Sequence, residues 1–214
     1  RFLFIPGTIR AITWLSINEA RTKNIKHGLI ASLLGSEGDF VYKRSRLGNA
    51  EIDQIVEATL VNSKVGFKVM DFEPTGYDQR QFCSPGFNLP VGLLARARPN
   101  QFPEYHTSAD NLEFVKPEVL ESSLRMYKEV IDCLEANNRY FSLNAKCEPN
   151  LGKRGLYNLI GNSLNGKEHQ EALLWVLNFS DGAHTLLDIS RKSGIRIGII
   201  RDAAERLVKS KLLI

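Results

Sequence analysis

Gly28-Leu29-Ile30-Ala31-Ser32-Leu33-Leu34-Gly35 decides how the fold is read. A short, uncharged, largely apolar run between two glycines is the pattern of a strand buried on both faces. Upstream, Phe2-Leu3-Phe4-Ile5 is a second apolar run stopped by Pro6-Gly7, as a strand entering a turn would be. Between them Ile9, Ile12 and Trp14-Leu15 repeat at helical spacing from Thr8 to about Arg21. Downstream, Glu51 to Leu60 carries Ile52, Ile55, Val56 and Leu60 in the same period. Strand, helix, strand, loop, helix predicts βα units in an α/β sheet.

The middle of the chain is rich in turn formers. Pro85-Gly86 and Asn88-Leu89-Pro90 precede the strand-like Val91-Gly92-Leu93-Leu94, and Pro99-Asn100 and Pro103 frame a further turn. Pro117 then opens a helix to about Asn137, with Leu120, Leu124, Tyr127, Val130, Ile131 and Leu134 expected on its inward face. A polar break at Asn162-Ser163-Leu164-Asn165-Gly166 separates an expected α/β domain, residues 1–163, from a C-terminal unit, residues 167–214. That unit reads as three short helices jointed at Asp181-Gly182 and Ser193-Gly194, a helix-turn-helix layout. Leu212-Leu213-Ile214 would begin the first strand of a wing.

Composition narrows the classes. At 214 residues and 24.1 kDa, with 43% hydrophobic and 24% charged residues, the chain can bury one sizeable core and is neither disordered nor fibrous. Its net charge of +4 permits an anionic partner without demanding one. No apolar run reaches the roughly 20 residues of a membrane helix. Cys83, Cys133 and Cys147 are odd in number and lack Cys-x-x-Cys spacing, which argues against a disulfide framework and for a reducing, cytoplasmic setting. The chain opens on Arg1 rather than Met and in mid-run, so it reads as a piece of a longer protein. Exposed apolar sheet surface and a possible homo-oligomer are the corresponding expectations.

Two long motifs carry a family resemblance. Tyr77-Asp78-Gln79-Arg80-Gln81-Phe82-Cys83-Ser84-Pro85-Gly86-Phe87-Asn88-Leu89-Pro90-Val91, followed by Pro103-Glu104-Tyr105-His106-Thr107-Ser108-Ala109-Asp110-Asn111, resembles the aminopeptidase-like domains associated with bacterial polysaccharide-biosynthesis loci. That family is similar in fold to the co-catalytic zinc aminopeptidases, a phosphorylase/hydrolase-like α/β sandwich with a mixed sheet. Residues 167 to 214 resemble the winged helix-turn-helix that closes many members. The chain looks like the C-terminal part of such a protein.

The resemblance implies a zinc-dependent aminopeptidase or amide hydrolase acting on a peptide or amide substrate. Such chemistry needs a cage of imidazoles and carboxylates, an open position for water and a carboxylate to take its proton. His106 is the implied metal ligand, Asp110 a carboxylate able to orient its ring, and Asp78 and Tyr105 the substrate-pocket residues. Read without the family, His106 is a lone loop histidine and Asp78 a turn aspartate bonding its own backbone. Many relatives carry Glu where this chain has Gly7, and Asp where it has Ser36. One histidine cannot hold zinc, so the fragment is expected to be inactive alone, with zinc a cofactor of the full-length parent.

The alternative is a non-catalytic protein whose C-terminal helices bind DNA or another protein. Arg196, Arg201 and Arg206 would line the recognition helix, while Asp202 and Glu205 in the same helix would repel phosphates. Nucleic-acid binding is therefore expected to be weak. Lys43-Arg44-Ser45-Arg46 reads as a solvated basic loop.

Overall fold

A computed structural model describes residues 1–63, 65–97, 102–156 and 164–214. Contacts divide the chain into two compact units, Arg1–Lys128 and Glu129–Ile214.

The first unit is built on a four-stranded mixed sheet. Helix α1 (Ile9–Thr22) leads to β1 (Gly28–Ser32), and β2 (Phe40–Lys43) is followed by α2 (Glu51–Asn62) and β3 (Phe67–Met70). A single-turn helix α3 (Gln79–Phe82) precedes β4 (Val91–Ala95), and α4 (Pro117–Ala136) starts in this unit. The strand order is β1-β4-β2-β3: β1 runs parallel to β4, β2 parallel to β3, and β2 antiparallel to β4. Every residue of β4 is buried, matching its uncharged sequence. Around it Phe40, Tyr42, Ile52, Ile55, Val56, Leu60 and Leu94 form a core in which each is at most 1% exposed.

Three expectations need correction. Phe2-Leu3-Phe4-Ile5 is not a strand: it joins no sheet, and Phe2 and Phe4 are 79% and 94% exposed. A lone apolar run without a hydrogen-bonding neighbour has no ladder to hold it extended. In α4 the buried stripe is Ser123, Met126, Val130 and Cys133, which leaves Leu120, Leu124 and Ile131 exposed. Polar contacts turn the helix: Arg96 Nε donates to Ser123 Oγ, Ser123 Oγ donates to the Leu34 carbonyl, and Tyr127 Oη donates to the Leu94 carbonyl. Nor is Lys43 to Arg46 a solvated loop. Lys43 and Ser45 are buried, Arg44 grips Glu57 through Nε at 2.6 Å and Nη2 at 3.0 Å, and Arg46 donates to Asn88 Oδ1. Four-residue β2 and β3 were too short to stand out by periodicity.

Asp53 holds the start of α2. Fully buried, it accepts the Tyr42 hydroxyl at 2.7 Å, the Ser45 amide and hydroxyl at 2.7 and 2.6 Å, and the Ala50 amide at 2.9 Å. Four donors around one carboxylate are what makes its burial tolerable.

The second unit contains β5 (Arg139–Phe141), α5 (Leu164–Phe179), β6 (Asp181–Thr185), α6 (Leu186–Ser193) and α7 (Ile197–Lys209). Its core joins Leu173, Val176, Leu186, Ile189, Ile200, Ala203 and Leu207, with Leu174 and Leu177 packed at its margin. Thr185 caps α6 by accepting the Asp188 amide while the Asp188 carboxylate accepts the Thr185 amide. Gly194 ends α6 at φ 71°, a conformation glycine adopts without Cβ strain. The joint at Asp181-Gly182 belongs to a strand: β6 pairs antiparallel with β5. Leu212-Leu213-Ile214 finds a strand partner upstream in the chain. It pairs with 141–143 through reciprocal Phe141–Ile214 amide–carbonyl bonds of 2.8 and 3.0 Å and a Leu143-to-Leu212 bond of 2.9 Å. The break read at Asn162 to Gly166 and the turn at Pro99-Asn100 lie wholly or partly outside the described residues. Among the described residues no helix is long and apolar enough to cross a membrane.

Candidate functional site

Two loops, distant in sequence, meet in the first unit, and a third lies near enough for Tyr105 to act electrostatically on Tyr77. The first is Pro6-Gly7-Thr8, the turn before α1. Thr8 sits at φ 58°, ψ −76°, a costly conformation for a β-branched residue. Asp78 supports it: its Oδ1, in a carboxylate only 5% exposed, accepts the Thr8 amide at 2.5 Å. This is a long-range bond, not the bond to its own backbone that a turn aspartate makes.

The second loop, Glu73 to Asp78, is fixed from below by Lys43 at the end of β2. Its Nζ donates to the Thr75 carbonyl at 2.6 Å and reaches the Glu73 carbonyl at 3.5 Å. With the Gln79 amide turned so that both of its ends are satisfied, Gln79 Oε1 accepts from the same ammonium at 2.8 Å. Gly76 bends the chain at φ 88° directly over Lys43.

Tyr77 reaches back to the first loop. A Cβ at residue 7 would stand 2.5 Å from Tyr77 Oη and 2.8 Å from its Cζ, so the phenol fills the space any side chain at residue 7 would need. Burial pushes the Tyr77 pKa up, and the charges of Asp78 and Tyr105 add to the rise. The group is therefore a neutral hydroxyl at physiological pH.

The third loop brings Tyr105 and His106. Their rings stack at 4.0 Å between centroids with planes 12° apart. Phe102 meets Tyr105 edge-on at 5.5 Å and stacks on Phe114 at 5.5 Å, so a line of aromatic rings braces the imidazole. His106 has φ 58°. Asn111 Oδ1 closes the loop by accepting the Glu113 and Phe114 amides.

The residues singled out from sequence separate into two environments. Asp78 is buried and bonded to the chain, and Tyr105 is half-buried in the aromatic line. His106 and Asp110 are exposed, with no hydrogen bond between them. Sequence reading missed Tyr77 and Lys43. A tyrosine directly before Asp78, in a loop bent at Gly76, was the available signal for the first.

These donors do not fit a zinc centre. Among the described residues no group of three or more His, Cys, Asp or Glu side chains is placed to hold a metal ion. His106 stacks on a tyrosine, the Asp78 carboxylate holds Thr8, Gly7 offers no side chain, and the buried Ser36 hydroxyl is a poor ligand, here without a hydrogen-bond partner.

In the second unit, two of the three arginines expected to face DNA, Arg196 and Arg201, lie beside carboxylates. Arg201, its side chain 17% exposed, lies 3.4 Å from Glu129, 3.2 Å from Asp202 and 3.9 Å from Glu205, rather than standing free in water. Arg196 lies 3.7 Å from Glu168.

Residues 1–137 match a family described as a domain of unknown function, DUF4910, and residues 138–214 match a winged helix-turn-helix family. The chain is 50% identical over 213 residues to a Clostridium acetobutylicum protein named "Putative polysaccharide biosynthesis protein with aminopeptidase-like domain", covering 100% of this chain and 49% of that protein. A crystal structure of a "putative peptidase" from Clostridium acetobutylicum superposes with TM-score 0.87 at 48% identity, covering 100% of this chain and 47% of its own. The chain thus spans about half the length of the relatives it matches. Its architecture is an α/β sandwich resembling that peptidase-like structure, joined to a small helical winged helix-turn-helix region.

Proposed function

The chain belongs to the DUF4910 family, and from that premise we propose that the Gly7-Thr8, Tyr77-Asp78 and Tyr105-His106 loops together receive a peptide or amide ligand. The meeting of the first two loops, with Tyr105 acting on Tyr77 from the third, carries the reading. Two residues in left-handed conformations, Thr8 and His106, sit in it, and such strain persists where the surroundings over-determine it, commonly at ligand sites. Tyr105 and His106 supply ring faces for the ligand's side chain. Tyr77 supplies a neutral hydroxyl for its amide. Asp78 acts behind them by fixing Thr8.

The aminopeptidase-like names of the relatives support a peptide or amide as the ligand class. Zinc belongs to the family resemblance rather than to this set of donors, and no step is derived through it. For the winged helix-turn-helix, a packing role has more support than duplex binding, because Arg201 and Arg196 already face carboxylates.

Calorimetric titration of the chain with leucyl-glycine and with leucinamide tests the reading. Saturable binding that Y105A weakens about fivefold or more is expected, the loss of one aromatic contact. Equal affinity in Y105A, or no saturable heat at millimolar ligand, would remove the proposal.

A further inference from the structure

The four-stranded sheet ends on β1 at one side and on β3 at the other, and the two edges are built differently. β3 is four residues long and carries Lys68, a charge of the kind that keeps an edge from pairing with other chains. β1, Gly28-Leu29-Ile30-Ala31-Ser32, has no charge and no proline, and the uncharged run continues to Ser36. It pairs residue for residue with the fully buried β4. We infer that the free edge of β1 docks an extended strand, supplied by the part of the relatives' polypeptide that lies outside their match to this chain.

The register fixes what this edge offers. Gly28 donates its amide to the Pro90 carbonyl at 3.0 Å, so Gly28, Ile30 and Ser32 direct their amides and carbonyls toward β4. Those of Leu29 and Ala31 point to the other side, where no strand among the described residues pairs with them. The strand itself is already covered as an interior strand would be. Ile30 packs against the cluster of Ala11, Leu15 and Val91, and the Tyr127 hydroxyl of α4 lies 3.1 Å from the Ile30 carbonyl. Two amides and two carbonyls offer an incoming strand its main-chain bonds, and an edge that stays covered needs no guarding charge. The choice of occupant comes from length. Two relatives, 50% and 48% identical, are matched over only 49% and 47% of their chains, which leaves in each a stretch about as long as this chain.

Co-expression of the tagged chain with the unmatched part of the 50% identical Clostridium acetobutylicum protein tests this. The two should co-purify, and amide exchange at Leu29 and Ala31 should slow about tenfold or more relative to the chain alone. Phe67 and Val69, which face outward on the β3 edge, should exchange as before. A31P removes one amide of the open edge and should weaken the complex about tenfold. In the chain alone it should melt closer to wild type than I30P, whose amide faces β4. No complex, a complex without protection at Leu29 and Ala31, or a complex indifferent to A31P would each overturn the inference. A31P melting as low as I30P would show that the edge is not open. Protection of Leu29 and Ala31 that rises with the concentration of the chain alone would give the edge to a second copy and overturn the choice of occupant.

Discussion

Asp78 Oδ1 accepts the backbone amide of Thr8 at 2.5 Å, joining two loops seventy residues apart in sequence. The bond is charge-assisted, sits in a 5% exposed carboxylate and holds a threonine at positive φ. It ties the Thr8 turn to the Tyr77-Asp78 loop.

Replacing Asp78 should therefore cost stability and geometry together. D78A is expected to destabilise the chain by about 2 kcal/mol, the loss of a buried charge-assisted bond with its donor left unpaired. D78N, which keeps an accepting oxygen, should recover part of that. Denaturant unfolding gives both values, and amide hydrogen exchange at Thr8 should speed up in D78A. Unchanged exchange at Thr8 would show that something else holds the turn.

A pH effect is expected at the start of β6. The Asp181 carboxyl is drawn down to about 2 from the usual 3.8, first by the Ala183 amide and then by the His184 ring. A lowered carboxyl pKa contributes stability that is fully present above about 3.8 and is lost as pH falls through about 2. The Asp181 resonance in a carbonyl-detected titration should move in that window. A midpoint near 4 would disprove the assignment, and D181N should lose the acid dependence this carboxyl contributes.

Duplex DNA should bind weakly and with a shallow salt dependence, because Arg201 of α7 and Arg196 just before it already face carboxylates. R201A should change the melting temperature more than it changes DNA retention in a fluorescence anisotropy assay. Tight binding at physiological salt, lost in R201A, would reverse the packing reading of this helix.

Self-association is the fourth expectation. Phe2, Phe4, Ile9 and Ile17 are 79%, 94%, 74% and 77% exposed, and exposed apolar side chains favour association. Sedimentation velocity should show concentration-dependent oligomers that F4S/I17K reduces. A monomer at all concentrations would indicate that these side chains mediate no contact.

Much of this architecture was readable because burial leaves a periodic trace. Gly28–Gly35 gave β1, though as a half-buried edge strand rather than one buried on both faces, Val91–Leu94 gave β4, and the spacing in Glu51–Leu60 gave α2. Two strands of four residues each left too little pattern, and only their pairing makes them strands. In α4 periodicity found Val130 and the half-buried Tyr127 but not Ser123, whose buried contact with Arg96 a hydrophobic count passes over. Turn chemistry was read well at Gly194 and poorly at Asp181, where a strand partner forty residues upstream, Phe141, decides the outcome. Asp78, Tyr105 and His106 were singled out by the family resemblance, since neither composition nor periodicity marks them. That Tyr77 covers Gly7 is a tertiary contact with no local signature.

The central claim is that three loops act as one ligand site. Its most direct test is a titration of the isotopically labelled chain with leucyl-glycine, followed by NMR at Thr8, Tyr77, Tyr105 and His106. The account predicts that all four resonances shift along one binding curve with one dissociation constant, while Gly194, in the other unit, stays still. Shifts confined to a single loop, or separate curves for Thr8 and His106, would contradict it.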